Sequence, residues 1–162
     1  MKQTIIFLLL CSFTSAVFAQ QTNFTGKYKV NKTKTNFGVA PEFILPRYIL
    51  VNQDKGKIII SRTQLDQQSK ELVPVVDTLS FDGSEFKGKT ASGNISSSKL
   101  KWLNSQSFQL DISVATADGT IRLKVVEVWK LEEDGKILLV DRAVEQGTMK
   151  YTTKAYFDRI EE

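Results

Sequence analysis

Leu110, Glu127, Arg142 and Tyr151 fall side by side when the last strands of this sequence are folded onto their turns. An arginine between an acid and a phenol, on a face otherwise apolar, can do two kinds of work. Its planar guanidinium matches a carboxylate with two hydrogen bonds, so Arg142 with Tyr151 can anchor an acidic head group. The alternative is a permanent internal pair, because burying either charge alone is expensive and Glu127 then occupies Arg142. Arg62 and Asp77 repeat the arrangement earlier in the chain, each on the apolar face of its strand. The inward charges are therefore balanced, which favours pairing, while the fork geometry favours an anchor; both readings stay open at this point. Trp102, Trp129 and Phe108 project toward the same face, either as the lining of an apolar pocket or as core.

The rest of the composition excludes more than it offers. No histidine occurs in the 162 residues, and the single cysteine is Cys11. The commonest general base and metal ligand are thus missing. Glu127 and Asp77 are the inward acids, and each is taken up by an arginine. No serine has a base beside it, and there is no phosphate loop, calcium loop or zinc spacing. The reading is a non-enzyme without cofactor or metal. The formal charge of +4 is small and scattered; only Lys27, Lys29, Lys32 and Lys34 cluster. A solvated strand edge accounts for those four, so no nucleic-acid surface is expected.

Three glycine turns must position the row. Asp118-Gly119, Asp134-Gly135 and Gln146-Gly147 each separate runs of alternating apolar residues, a hairpin signature that fixes register. Across the first, Thr116 is expected to face Ile121, Val114 Leu123, Ile112 Val125 and Phe108 Trp129. Across the second, Leu131 faces Leu138, Trp129 faces Val140, and Glu127 faces Arg142. Across the third, Val144 faces Met149, Arg142 faces Tyr151 and Leu138 faces Ala155. A slip of one residue would turn every side chain to the other face.

Upstream, Phe24 to Val30 alternates as a first strand, with Phe24, Tyr28 and Val30 on one face. The stretch 32–46 has no period and carries Phe37, Phe43, Ile44 and Leu45, which reads as a folded-over plug rather than a solvated loop. Val126, Val128, Leu139 and Ala143 form an apolar patch on the outer face, to be covered by that plug or by a partner. Strands at 47–53 and 57–65 flank Lys55-Gly56, and a longer strand is expected over 72–81. Between Asp82 and Ser98 the serines and glycines give little side-chain pairing, so a loose or gapped sheet is expected there. The fold class is all-β: an antiparallel up-and-down meander of about eight to ten strands, closed into a barrel that removes its own edges.

Certain residues carry a family resemblance. Phe24-Thr-Gly26-Lys-Tyr28 forms a first-strand Gly-x-aromatic; Trp102 precedes a turn and a Phe-x-Leu-x-Ile strand; Glu127-Val-Trp129, Asp134-Gly135-Lys136 and Asp141-Arg142 follow. Together these resemble the lipocalin-like secreted proteins of bacteria, within the calycin group of meander barrels. Tyr28 stands where lipocalins proper carry Trp, and the disulfide usual in extracellular ones is missing. The resemblance implies a barrel holding a small apolar ligand. Arg142 beside Tyr151 is similar to the carboxylate anchor of fatty-acid-binding barrels.

The address is written at the N-terminus. Lys2, the apolar run from Ile5 to Phe18, and Ala19 before Gln20 describe a secretory signal peptide, residues 1–19, too short to span a bilayer as a helix. Cleavage after Ala19 removes Cys11 and leaves residues 20–162 as a single barrel domain, secreted or periplasmic, with no stable membrane insertion. Two functions fit. One is binding of a small, largely apolar or fatty-acid-like ligand inside the barrel. The other is an envelope or extracellular interaction module whose barrel is filled by side chains.

Overall fold

The computed structural model describes residues 21–90 and 93–161; the proposed signal segment, with Cys11 and Ala19, lies outside the described residues. Ten strands follow one another: β1 (Gly26–Val30), β2 (Tyr48–Asp54), β3 (Lys57–Thr63), β4 (Val75–Ser80), β5 (Phe86–Lys89), β6 (Ile95–Asn104), β7 (Ser107–Ala115), β8 (Ile121–Glu132), β9 (Ile137–Gln146) and β10 (Met149–Ile160). They form one antiparallel sheet in the order β4-β3-β2-β1-β10-β9-β8-β7-β6-β5. Consecutive strands pair everywhere except between β4 and β5, and β1 also pairs with β10, Lys27 opposite Ile160 and Val30 opposite Phe157. The meander thus curls into a nearly closed barrel whose one break lies between β4 and β5. That break falls in the serine- and glycine-rich region, where few side chains are available to pair across strands.

Most of the expected register holds. Val114 faces Leu123, Ile112 faces Val125 and Phe108 faces Trp129; Trp129 faces Val140, Glu127 faces Arg142 and Leu131 faces Leu138. Thr116 does not face Ile121. The amide of Gly119 donates to Thr116 O at 2.9 Å and the amide of Thr116 to Thr120 O at 3.0 Å, so this loop holds three residues. Ile121 faces Ala115 instead, and an irregularity between Val114 and Ala115 restores the expected pairing. That is the usual compensation when a turn ends on a left-handed glycine.

The third turn carries a larger correction. Gln146 faces Met149, so the two turn residues are Gly147 and Thr148. Gly147 has φ +58°, and a glycine in that conformation at the first of two loop positions is what a type II′ turn requires. Every partner of β10 moves by two positions. Val144 faces Tyr151 rather than Met149, Leu138 faces Phe157 rather than Ala155, and Arg142 faces Thr153 rather than Tyr151. A shift of two keeps the inward face inward, so the barrel is unaffected while the row changes its last member.

Three inward rows stack along β6 to β10. The lowest is Trp102, Phe108, Trp129, Val140 and Ala155; above it lie Leu100, Leu110, Glu127, Arg142 and Thr153; above that, Ser98, Ile112, Val125, Val144 and Tyr151, with Phe86 of β5 beside Ser98. The lower end is packed. Phe24, Tyr28, Phe108, Trp129, Leu138 and Phe157 are buried, and the Phe108 and Trp129 rings stack at 5.4 Å. Burying each Leu or Phe fully contributes on the order of 1.5–3 kcal/mol, so this end supplies more stability than any surface ion pair.

The expected long strand over 72–81 is shorter: Leu72 and Val73 are exposed and β4 begins at Val75, after Pro74, which has no amide to give to a ladder. The segment 32–46 holds one 3-10 turn (Glu42–Ile44). Leu45 is buried, and Phe37 and Ile44 pack on the core, but Phe43 points to solvent. Asn36 bridges to Lys154, yet the segment covers only part of the outer patch. Leu139 is buried, whereas Val126 and Ala143 stay exposed beside a groove lined by Asn36 and Gly38.

Candidate ligand site

The two charge pairs expected from the sequence are one network. Arg62 Nη1 donates to Asp77 Oδ2, and Arg62 Nη2 reaches across the barrel to Glu127 Oε2 at 3.3 Å. Arg142 Nε lies 3.3 Å from Glu127 Oε1. The indole Nε1 of Trp129, one row below, donates to Glu127 Oε2 at 3.0 Å, and the Arg62 guanidinium sits 5.5 Å from the Trp129 ring centroid. The four charged side chains retain only 9–14% of their exposure. Strand geometry places them: β3 and β4 carry Arg62 and Asp77 on the same inward face, and the Glu127–Arg142 pair follows from the β8–β9 register. The network crosses the barrel as a layer, with packed aromatics beneath it.

Not every donor in this layer is used. Arg142 Nε and Nη1 are buried without a hydrogen-bond partner: Nε is within ion-pair range of Glu127 but is not aligned as a hydrogen bond. Thr153, beside Arg142 in the row, is buried, and its Oγ1 also lacks a partner. Buried polar groups in folded proteins are nearly always satisfied, so this pair of neighbours stands out. Trp102 Nε1 is unpartnered too, but Trp102 is packed among Phe24, Phe81 and Phe108 with ring centroids 5.4–6.1 Å away.

Above the charged layer the inner face opens. Val125 and Val144 are buried, whereas Phe86, Ile112, Val114, Leu123 and Tyr151 are half-buried. Tyr151 is one rung nearer the open end than Arg142, a diagonal distance that a long side chain still spans. The break between β4 and β5 holds a cleft of about 270 Å3 lined by Val75, Asp77, Phe86, Gly88 and Ser96, with Val73 and Val76 at its outer rim. The cleft therefore connects solvent to Asp77, a member of the network.

Of the candidates read from the sequence, Glu127, Arg142, Arg62 and Asp77 come together, with Trp129 bonded to them and Leu110 beside Glu127. Trp102 and Phe108 lie one row lower in the aromatic packing, and Tyr151 one row higher. Sequence reasoning missed Thr153, because the third turn was placed one residue early. It also missed the Arg62–Glu127 link, which no hairpin register reports. Gly147 itself was the available signal for the first.

Fold and site define a class, a ten-stranded calycin-type barrel with a charged layer across its interior. Solved structures of similar fold include a mutant of the fluorescent protein UnaG, with a TM-score of 0.54 at 14% identity, covering 86% of this chain and 97% of that one. A Schistosoma mansoni fatty acid binding protein in complex with arachidonic acid gives 0.53 at 18% identity, with coverages of 85% and 96%. The zebrafish ileal bile acid-binding protein complexed with cholic acid gives 0.53 at 10% identity, with coverages of 85% and 98%. At these identities the likeness is one of fold. No protein-family model and no curated protein sequence matches the chain, so the narrower likeness to secreted bacterial lipocalin-like proteins stays a resemblance.

Proposed function

We propose that this protein takes up a small, largely apolar molecule through the β4–β5 break and holds it above the charged layer. The observation that carries this reading is the cleft from the rim at Val73 and Val76 to Asp77, whose wall residues Phe86 and Gly88 lie in the same rows of the sheet as the half-buried Ile112 and Val114. Concave, mostly apolar sites with a few convergent polar groups are where small ligands bind. Structures sharing the fold were solved with arachidonic and cholic acid, which supports the choice of ligand class. We assign the protein no catalytic step. We also propose that it works after export, as residues 20–162; N-terminal sequencing of the exported protein should begin at Gln20.

The binding test uses Nile red, an uncharged apolar dye, together with native mass spectrometry for a co-purified molecule. Nile red should brighten on the wild-type protein and much less on Gly88→Leu. A side chain at Gly88 would start 3.1 Å from Ser96 Oγ and 3.3 Å from the Phe86 ring, and would fill the cleft. No uptake by the wild type, with no co-purified molecule, would leave the second reading. That reading is an interaction module with a filled barrel, favoured by the fully packed row around Phe108 and Trp129.

A further inference from the structure

The head group of the bound molecule can be read from the charge count of the layer beneath it. We infer that the site selects an uncharged hydrogen-bond acceptor, an ester or amide carbonyl on an apolar body, and discriminates against a carboxylate. This rests on the apolar-ligand reading above and deepens it.

Two arginines face two acids in the layer: Arg62 contacts Asp77 and Glu127, and Arg142 contacts Glu127. The layer is electrically complete without a ligand. An anion placed on Arg142 would leave the layer with one surplus negative charge, close to Glu127, on side chains with little solvent to screen it. An arginine meant for a carboxylate is ordinarily left without an acid of its own. What the layer lacks is acceptors. Arg142 Nη1 and Thr153 Oγ1, on facing residues of β9 and β10, are buried donors without partners. A carbonyl oxygen has two lone pairs and no charge, so one atom can accept from both groups without disturbing the balance. Tyr151 lies one rung nearer the open end on the same inward face, half-buried.

The experiment is displacement of Nile red at pH 8 by methyl decanoate and by decanoate, which share a chain and differ in charge. The wild type should bind the methyl ester about tenfold more tightly or better. Asp77→Asn leaves the Arg142 contact with Glu127 in place and makes the layer positive by one charge; Glu127→Gln adds the same charge by neutralising the acid beside Arg142, while keeping an oxygen for Trp129 Nε1. In either variant decanoate should gain about tenfold while the ester changes little. Decanoate binding the wild type as tightly as the ester would overturn the head-group inference and leave the apolar-ligand reading standing. Dye uptake with no displacement by either compound would also overturn it. Failure of the wild type to take up the dye at all would overturn both. The wild-type comparison decides even if one variant fails to fold.

Discussion

Arg62 and Arg142 look equivalent in the sequence, but the structure gives them different duties. Arg62 contacts both acids and lies over Trp129, whereas Arg142 touches Glu127 alone, and Glu127 keeps Arg62 and Trp129 without it. Removing Arg62 leaves Asp77 buried without its partner and takes one of two arginines from Glu127; Arg62→Leu should therefore cost about 3–5 kcal/mol of stability in urea denaturation. Arg142→Leu should cost clearly less, because no acid loses its last partner. Equal losses would mean the layer is not organised around Arg62. A second residue-scale expectation concerns Tyr28, whose hydroxyl donates to Phe24 O at 2.9 Å. Burial raises its pKa above the ordinary phenol value, partly opposed by the nearby Arg159 charge. The folded protein thus keeps a proton that the unfolded chain gives up. The associated stability is fully present below about pH 10, the ordinary phenol value, and falls as pH rises further. In an ultraviolet titration of the four tyrosines, one should ionise late, and Tyr28→Phe should remove that late component.

At the scale of the element, hairpins were legible wherever a glycine turn sat between alternating runs, since the pleat's period of two fixes the face each residue takes, though not the register against a shift of two. The failures share a cause. Around Asp118 the loop is one residue longer than the two expected, and around Gln146 a two-residue loop sits one position later, because Asp-Gly and Gln-Gly leave open which loop position the positive-φ glycine takes. In one case a bulge at Ala115 hid the error; in the other it displaced Tyr151 from Arg142 and brought in Thr153. The break between β4 and β5 was legible as poor pairing, but its consequence was not, since the Arg62–Glu127 contact and the cleft need closure in three dimensions. Missing ladder bonds make the break the weak part of the sheet: β4 pairs only with β3 and β5 only with β6. In hydrogen exchange, amides of 73–80 and 86–89 should exchange early and those of 123–145 last. If the molecule enters through the cleft, its addition should slow the first group and leave the second unchanged.

For the whole molecule, closure depends on the two ends of the described chain. β1 joins the β2–β4 half to the β6–β10 half, and the strand ladder between the halves runs through it. The seam is fastened by Asn31 Nδ2 donating to Asp158 Oδ2 and by Arg159 Nη2 donating to Thr25 O, both at 2.7 Å. The charged layer spans the same division, with Arg62 and Asp77 from one half and Glu127 and Arg142 from the other. Each half holds one arginine–acid pair and the Arg62–Glu127 contact joins the two, so separating the halves breaks that contact and exposes the aromatic packing in one event. Unfolding should therefore be cooperative, with Trp102 and Trp129 fluorescence and far-ultraviolet circular dichroism giving superimposable urea transitions. Arg159→Ala loosens one exposed fastening and should lower Tm by about 2–4 °C. Deleting residues up to Val30 removes the shared strand together with Phe24 and Tyr28, and should abolish the transition. A truncated chain that kept a sharp transition would show that the β6–β10 half folds alone, in which case the charged layer is not what unites the barrel.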